Sequence, residues 1–279
     1  VDALDAMKVA VILQITSVNF KQCNISSLVN GSRTGNSDIS YSIFDISPIN
    51  EFRRLAQCRI GIVSRWAFDH FMETYEAQKG HAATTYYRRI SRISPPTSLW
   101  SHVFERQVLG CFGRIGAAGR DFPIRGLTSP GEMTWTCRGP LPRFNFLWKS
   151  DFIDEITKAV QNNEPLHLVP SAPHFPAVDS ILYAPNDVLT CFQTTVSSKH
   201  PINAGGLQQI QSWLEARTLL AFLRPSADRP WRFICIVPPG NVSTFELQQL
   251  EHDTRGEWAG KVHQYVLGLD VLGEAQTNV

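Results

Sequence analysis

Two apolar runs, 175–183 and 189–196, flank the tetrapeptide Ala184-Pro185-Asn186-Asp187, and no other stretch constrains the fold of this chain as tightly. Both runs are rich in β-branched and aromatic residues, whereas Pro and Asn favour a reversal, so the segment predicts an antiparallel hairpin. A loop centred on Asn186 sets Asp179 directly across from Gln193, with both side chains on one face. A carboxylate and an amide oxygen side by side on a sheet are the ligands that a hard divalent cation such as Mg²⁺ takes from a protein. Each of these residues also interrupts a strand that would be more stable without it, and such an interruption needs a partner or a purpose. A cation held there points to phosphodiester chemistry.

A chain of 279 residues is long for a single core, so one large domain or a domain with a smaller appendage is expected. With 43% hydrophobic and 18% charged residues the composition belongs to a folded α/β protein and excludes a disordered one. The formal net charge of +1 carries no overall basic character of the kind that advertises nucleic acid. Arginines cluster locally instead, as Arg53, Arg54, Arg59 and Arg65, then Arg88, Arg89 and Arg92, then Arg114, Arg120, Arg125, Arg138 and Arg143. Such clusters suit either a phosphate backbone or a solvated basic face. The 6 cysteines stand singly with no Cys-x-x-Cys pair, so neither a zinc knuckle nor a compact disulfide framework fits their spacing. Cys111, Cys191 and Cys235 fall in apolar runs and read as small core residues, and an intracellular, reducing setting is favoured. The apolar stretch 9–15 is too short for a membrane span and lacks the basic lead and cleavage pattern of a signal peptide, so none is expected.

Along the chain, residues 30–37 superficially resemble a phosphate-binding loop. That run is one residue too short between Gly31 and Gly35, and Asn36 stands where the lysine should be, so a cradle there would lack its charge. Residues 51–57 and 66–79 are helical in pattern around a short buried strand at 59–64. After the Ser94-Pro95-Pro96-Thr97-Ser98 break, with Thr97 or Ser98 as N-cap, a helix carries Trp100, Val103, Phe104, Val108, Cys111 and Phe112 at helical spacing. Glu105 borders that apolar stripe, either as a solvated flank residue or reaching into a site beside the hairpin. Residues 120–148 read as irregular strands and loops, and 151–162 as an amphipathic helix capped by Ser150 or Asp151. Beyond the hairpin, Gly205-Gly206 opens a helix over 207–223, 232–237 is a buried strand ended by Pro238-Pro239, 244–250 is a short helix, and 262–269 is a final strand.

A helix with Glu105, irregular strands, a strand with Asp179, a strand with Gln193, then helix and strand follow the order of the PD-(D/E)xK nuclease core. The stretch Phe175-Pro176-Ala177-Val178-Asp179-Ser180, followed by Phe192-Gln193-Thr194-Thr195-Val196-Ser197-Ser198-Lys199-His200-Pro201-Ile202, resembles the C-terminal nuclease-like domain of Crinkler-type proteins, fungal and oomycete effectors related to transposon-associated toxins. Upstream, Val103-Phe104-Glu105 and Phe122-Pro123-Ile124-Arg125-Gly126-Leu127 are similar to that family's approach to the nuclease. The resemblance spans roughly 95–270. It implies an α/β restriction-endonuclease-like domain over 95–279, a mixed β-sheet flanked by helices, with an N-terminal α/β segment over 1–94 as the remnant of a degenerate ATPase. It also implies Mg²⁺ or Mn²⁺ as cofactor, DNA and host nuclear proteins as partners, and the nucleus, of a host cell after secretion, as location.

Carried over residue by residue, the resemblance makes Glu105 the helix carboxylate, Asp179 the central metal ligand and Gln193 the occupant of the second acidic position. The family's lysine is missing, because two residues past Gln193 stands Thr195. Lys199 and His200 are the candidates for the positive charge and the proton relay, while His200 before Pro201 equally suits a hydrogen-bonded strand-to-helix turn. The expectation is a metal-dependent nuclease that hydrolyses DNA phosphodiester bonds. The alternative is a catalytically impaired, nuclease-derived module that binds DNA or proteins.

Overall fold

The computed structural model describes residues 44–48, 58–62, 98–171 and 175–271. The chain divides into two compact units, 1–103 and 104–279. In the first, β1 (Phe44–Pro48) pairs with β2 (Cys58–Ile62) as an antiparallel ladder. The strand expected at 59–64 is therefore present over the described part. The helices read at 51–57 and 66–79, the phosphate-loop-like run and the arginines at 53, 54, 65, 88, 89 and 92 lie outside the described residues.

The second unit is built on a mixed eight-stranded sheet with helices on both faces. Its elements are α1 (Ser98–Gly113), β3 (Arg120–Gly126), β4 (Gly131–Cys137), β5 (Arg143–Phe146), α2 (Lys149–Asn162), β6 (Leu166–Pro170), β7 (Ser180–Tyr183), β8 (Thr190–Thr194), β9 (Ile202–Asn203), α3 (Ala204–Leu214), β10 (Trp231–Val237), β11 (Leu250–Glu251) and β12 (Val262–Gly268). The order across the sheet is β4-β3-β12-β10-β8-β7-β6-β5. β8, β10 and β12 run parallel to one another, with α3 in the connection from β8 to β10, while β7 is antiparallel to both β6 and β8.

Alternation along the strands assigns the two faces. Cys191, Ile181, Phe233, Cys235 and Leu168 share a core with Phe152 and Ile156 of α2 and Leu207 and Ile210 of α3. Phe192 and His167 point the other way, where Phe112 of α1 rests with ring centroids 4.8 Å and 5.5 Å away. Phe122 and Trp135 close this second core at 6.0 Å and 6.4 Å from Phe112. The cysteines at 111, 191 and 235 are buried free thiols, as their apolar settings implied.

Several local expectations are corrected. β3 and β4 form a regular seven-residue hairpin where irregular strands were expected. β6, wholly buried between β5 and β7, has no counterpart in the sequence reading. The helix expected over 207–223 ends at Leu214 and resumes as a 3₁₀ turn, Thr218–Leu223, because the Trp231 indole N–H donates to the Leu223 carbonyl at 2.7 Å and holds that turn beneath the sheet. The segment at 244–250 is extended after a 3₁₀ turn, Pro239–Thr244, since the Ile202 N–H takes the Gln249 carbonyl and draws the chain into β11. α2 begins earlier than expected, and its first turn is held by Asp151, whose carboxylate accepts the Trp148 N–H at 3.0 Å. Among the described residues no helix is long and apolar enough to cross a membrane.

Candidate functional site

The hairpin register matches the expectation centred on Asn186: Ser180 faces Phe192, Ile181 faces Cys191 and Leu182 faces Thr190. One step further, a regular ladder would set Asp179, the residue just before β7, opposite Gln193. Its surroundings differ from a plain ladder. The Asp179 N–H donates to the Phe192 carbonyl at 2.8 Å, so Asp179 and Ser180 both address Phe192 in the manner of a β-bulge. The next donor of β8, the Thr194 N–H, goes to Asp179 Oδ2 at 2.6 Å. The side chain of Asp179 thus takes the place of a backbone acceptor at the mouth of the hairpin, and the bulge re-aims it toward the strand end.

Residues 175–179 are not strand, which corrects the reading of 175–183 as one run. Ala177 takes a left-handed φ of 78°, and α3 packs against this bend. A Cβ on Gly206 would lie 2.4 Å from the Pro176 carbonyl oxygen and 2.9 Å from the Ala177 Cβ, so only glycine permits the approach. Asn203 caps α3 by accepting the Gly206 N–H at 3.1 Å. The Gly205-Gly206 pair therefore positions the segment leading into Asp179 as well as opening a helix.

Gln193 is 7% exposed, and its buried Oε1 has no hydrogen-bond partner among the described residues. A buried amide oxygen left unmatched costs about 1–3 kcal/mol. Cys235 of β10 is its partner in register on the other side. Burial, with the Asp179 carboxylate adding to it, pushes the Cys235 thiol well above the ordinary range and keeps it protonated.

No family model matches the chain, and neither the curated proteins nor the solved structures yield a match. The chemistry of the site must then be argued from its donors. The pair offers one carboxylate and one amide oxygen beside a protonated thiol, a set that fits a hard cation such as Mg²⁺ or Mn²⁺ and not a soft one. The unmatched Oε1 is the acceptor such an ion would satisfy. Among the described residues no group of three or more His, Cys, Asp or Glu side chains is arranged to hold a metal, so a cation here would keep several waters or take oxygens from a substrate phosphate.

The remaining sequence candidates do not all join this pair: Gln193 shares the Cys191 face of β8, toward α2 and α3, whereas Glu105 lies on the α1 side. Glu105 is buried at 8% exposure, two helical turns before Phe112 and on the same side of α1, so its helix covers the Phe192 face of β8. Thr195, two residues past Gln193, is buried; its N–H donates to the Ile236 carbonyl and its Oγ1 accepts the Ser197 N–H at 3.0 Å, closing a tight turn. Lys199 is exposed on the following loop. His200 is half-buried; burial lowers its pKa, with Glu251 pulling the other way. The turn-holding role weighed for His200 falls to its backbone, whose N–H donates to Gln248 Oε1 at 2.6 Å.

Gln248 and Gln264 were not singled out from sequence, and they organise the loops at this end of the sheet. The Gln248 N–H donates to Gln264 Oε1 and Gln264 Nε2 donates to the Gln248 carbonyl, both at 2.9 Å. Gln248 Nε2 reaches the Glu246 and Ser198 carbonyls, and Asn241 Nδ2 reaches the Val196 carbonyl at 3.1 Å. The loop carrying Lys199 and His200 is thereby tied to the loop after β10 and to β12. The available signal was a Gln inside the apolar run of β12, the same anomaly that marks Gln193.

Proposed function

We propose that this chain is a metal-dependent nuclease of the Crinkler-type effector class, built on a PD-(D/E)xK restriction-endonuclease-like core and hydrolysing DNA phosphodiester bonds. The observation that carries the reading is the buried Oε1 of Gln193, without a hydrogen-bond partner among the described residues, next to the Thr194 N–H that the Asp179 carboxylate accepts. The element order supports it: a helix with a buried glutamate, an antiparallel pair bearing Asp179 and Gln193, then a crossover helix into a parallel strand.

Bound at this pair, Mg²⁺ or Mn²⁺ would lower the pKa of a coordinated water and offset charge on the phosphoryl group. Asp179 supplies the negative charge that holds the cation, and Gln193 supplies a neutral oxygen. Affinity is therefore below that of a two-carboxylate site, because hard cations are held chiefly by ligand charge. Glu105, on the α1 side, lies across the sheet from the Gln193 side chain, so the site is read without it. His200, kept neutral by burial, accepts a proton at the strand-end loop, and Lys199 brings the positive charge that Thr195 cannot. The nucleus, in a host cell, is the compartment this reading implies.

A second reading, a catalytically silent module that binds DNA or host nuclear proteins, is favoured by one observation. Thr195, at the lysine position, is buried with its hydroxyl committed to the Ser197 turn. Cleavage of supercoiled plasmid and single-stranded DNA with Mg²⁺ or Mn²⁺ separates the two. The nuclease reading expects cutting that needs both the metal and Asp179, and that Asp179→Asn abolishes. DNA binding with no cutting by the wild-type chain would move the conclusion to the silent module.

A further inference from the structure

The arginines of the second unit separate in the fold. Arg125 turns its guanidinium inward and donates to the Val242 and Phe245 carbonyls, each at 2.6 Å, bracing the loop after β10. Arg143 opens β5 at the far edge of the sheet, opposite His167. The other three converge. A Cβ on Gly119 would lie 2.8 Å from the Cys137 carbonyl oxygen and 3.3 Å from the Arg138 Cα, and one on Gly139 would lie 2.2 Å from the Gly116 carbonyl oxygen and 2.8 Å from that of Ile115. The turn after α1 is thus pressed backbone to backbone against the end of β4, while Arg120 faces Cys137 in the β3–β4 register. Arg114, Arg120 and Arg138 each adjoin one of these contacts, and all three are exposed.

Two of the three are held by local contacts. Arg114 Nη2 donates to Cys111 Sγ at 3.1 Å, and the Arg120 guanidinium lies over the Phe122 ring at 5.0 Å. Among the described residues Arg114 and Arg138 form no ion pair. Asp121 alternates to the opposite face of β3 and accepts the Thr136 hydroxyl at 2.6 Å.

This corner lies at the same end of the sheet as the Asp179–Gln193 pair. Thr194, Ile236, Leu267 and Ile124 form one row across β8, β10, β12 and β3. Arg120 lies beyond Ile124 in the direction in which β8 leaves the sheet, because β3 is antiparallel to β12. Three strand spacings of about 4.8 Å put the corner roughly 15 Å to the side, and the extra residues of β3 carry it about 13 Å further out. A separation of about 20 Å is on the order of six nucleotides at about 3.4 Å per step along a strand.

We propose that Arg114, Arg120 and Arg138 form a phosphate-backbone grip that holds a nucleic acid a few nucleotides from the Asp179–Gln193 pair. The grip rests on the nuclease reading for its purpose, but its test needs no cleavage. The experiment is fluorescence anisotropy of labelled single-stranded and duplex 20-mers with the full chain in EDTA, over a range of salt. The Arg114→Glu/Arg138→Glu variant is compared with Arg114→Lys/Arg138→Lys and with Asp179→Asn, and thermal melts verify the folds. Expected is a loss of affinity of at least about tenfold in the Glu variant, with a salt slope shallower by about 1.5–2, as two lost phosphate contacts require. The Lys variant should bind much as the wild type does. Unchanged affinity and slope in the Glu variant overturn the grip, as does a wild-type chain that ignores both DNA forms or binds only phosphatidylserine vesicles. The two failures are distinguishable: Asp179→Asn that cuts DNA like wild type removes the nuclease site and leaves the grip, whereas a Glu variant that still binds fully removes the grip and leaves the site.

Discussion

The two ends of the β7–β8 hairpin each carry an aspartate, and they treat it differently. At the turn, Asp187 accepts from Arg232 through Oδ2 at 3.0 Å and Oδ1 at 3.3 Å, and from the Val188 N–H at 2.7 Å. Arg232 also donates to Thr190 Oγ1, and Arg229 donates to the Asp187 carbonyl at 2.9 Å. Charge is matched by charge, and the hydrogen-bonding capacity is filled from within the chain. At the open end, Asp179 receives a backbone N–H, and Gln193 keeps a buried acceptor that has no partner among the described residues. One end is arranged for stability, while the other holds unmatched polarity in the middle of a sheet. Stability alone would have placed a leucine at 193.

The contrast breaks most visibly at Asp179. Asp179→Asn keeps an oxygen for the Thr194 N–H and removes only charge, so the melting temperature should stay within a few degrees while cleavage falls by at least about 100-fold, or about 2.7 kcal/mol in transition-state terms. Cleavage at the wild-type rate would mean that the open end is structural too.

His167 provides a control for unmatched polarity. It is fully buried on β6 against Phe112 and Phe192, neither ring nitrogen has a partner among the described residues, and burial, helped by Arg143, pushes its pKa down to about 3. The native ring is neutral while the unfolded one protonates below about pH 6.5, so the unfolded state binds the extra proton and stability falls with acidification. Between about pH 6.5 and 3 this site should cost up to about 1.4 kcal/mol per pH unit. His167→Phe should flatten that part of a denaturant-midpoint profile, and an unchanged slope would place the acid sensitivity elsewhere.

At the turn, Asp187→Ala should lower stability by about 1 kcal/mol, since the pair is partly exposed, with cleavage per folded molecule unaltered. The smallest effect is the most informative. Gln193→Leu should raise stability by up to about 1 kcal/mol and abolish the divalent-cation response, whereas Gln193→Glu should melt lower in EDTA and rise with Mg²⁺. A Leu variant less stable than wild type would show that Oε1 is satisfied after all.

Much of the hairpin was legible because its signals are local. Pro185 and Asn186 mark the reversal, β-branched and aromatic residues mark the strands, and a period of two fixes who faces whom once the turn is centred. The left-handed φ of 62° at Asn186 agrees with a turn centred there. β10 and β12 were legible for the same reason, as apolar runs closed by Pro238 and by Gly268. β6 was not, since five buried residues that include a histidine show neither alternation nor helical spacing.

Sequence alone therefore determined the hairpin register, with Ile181 facing Cys191 and Ser180 facing Phe192, because a strand's own alternation and its turn set register. The bulge at Asp179, the halt of α3 at Leu214, the Gln248–Gln264 exchange and the gathering of Arg114, Arg120 and Arg138 came from contacts between segments far apart in the chain. Such contacts leave no periodic trace in a sequence. They depend on which backbone groups and arginines are left over once the sheet has assembled, and those are known only when every strand has its neighbour.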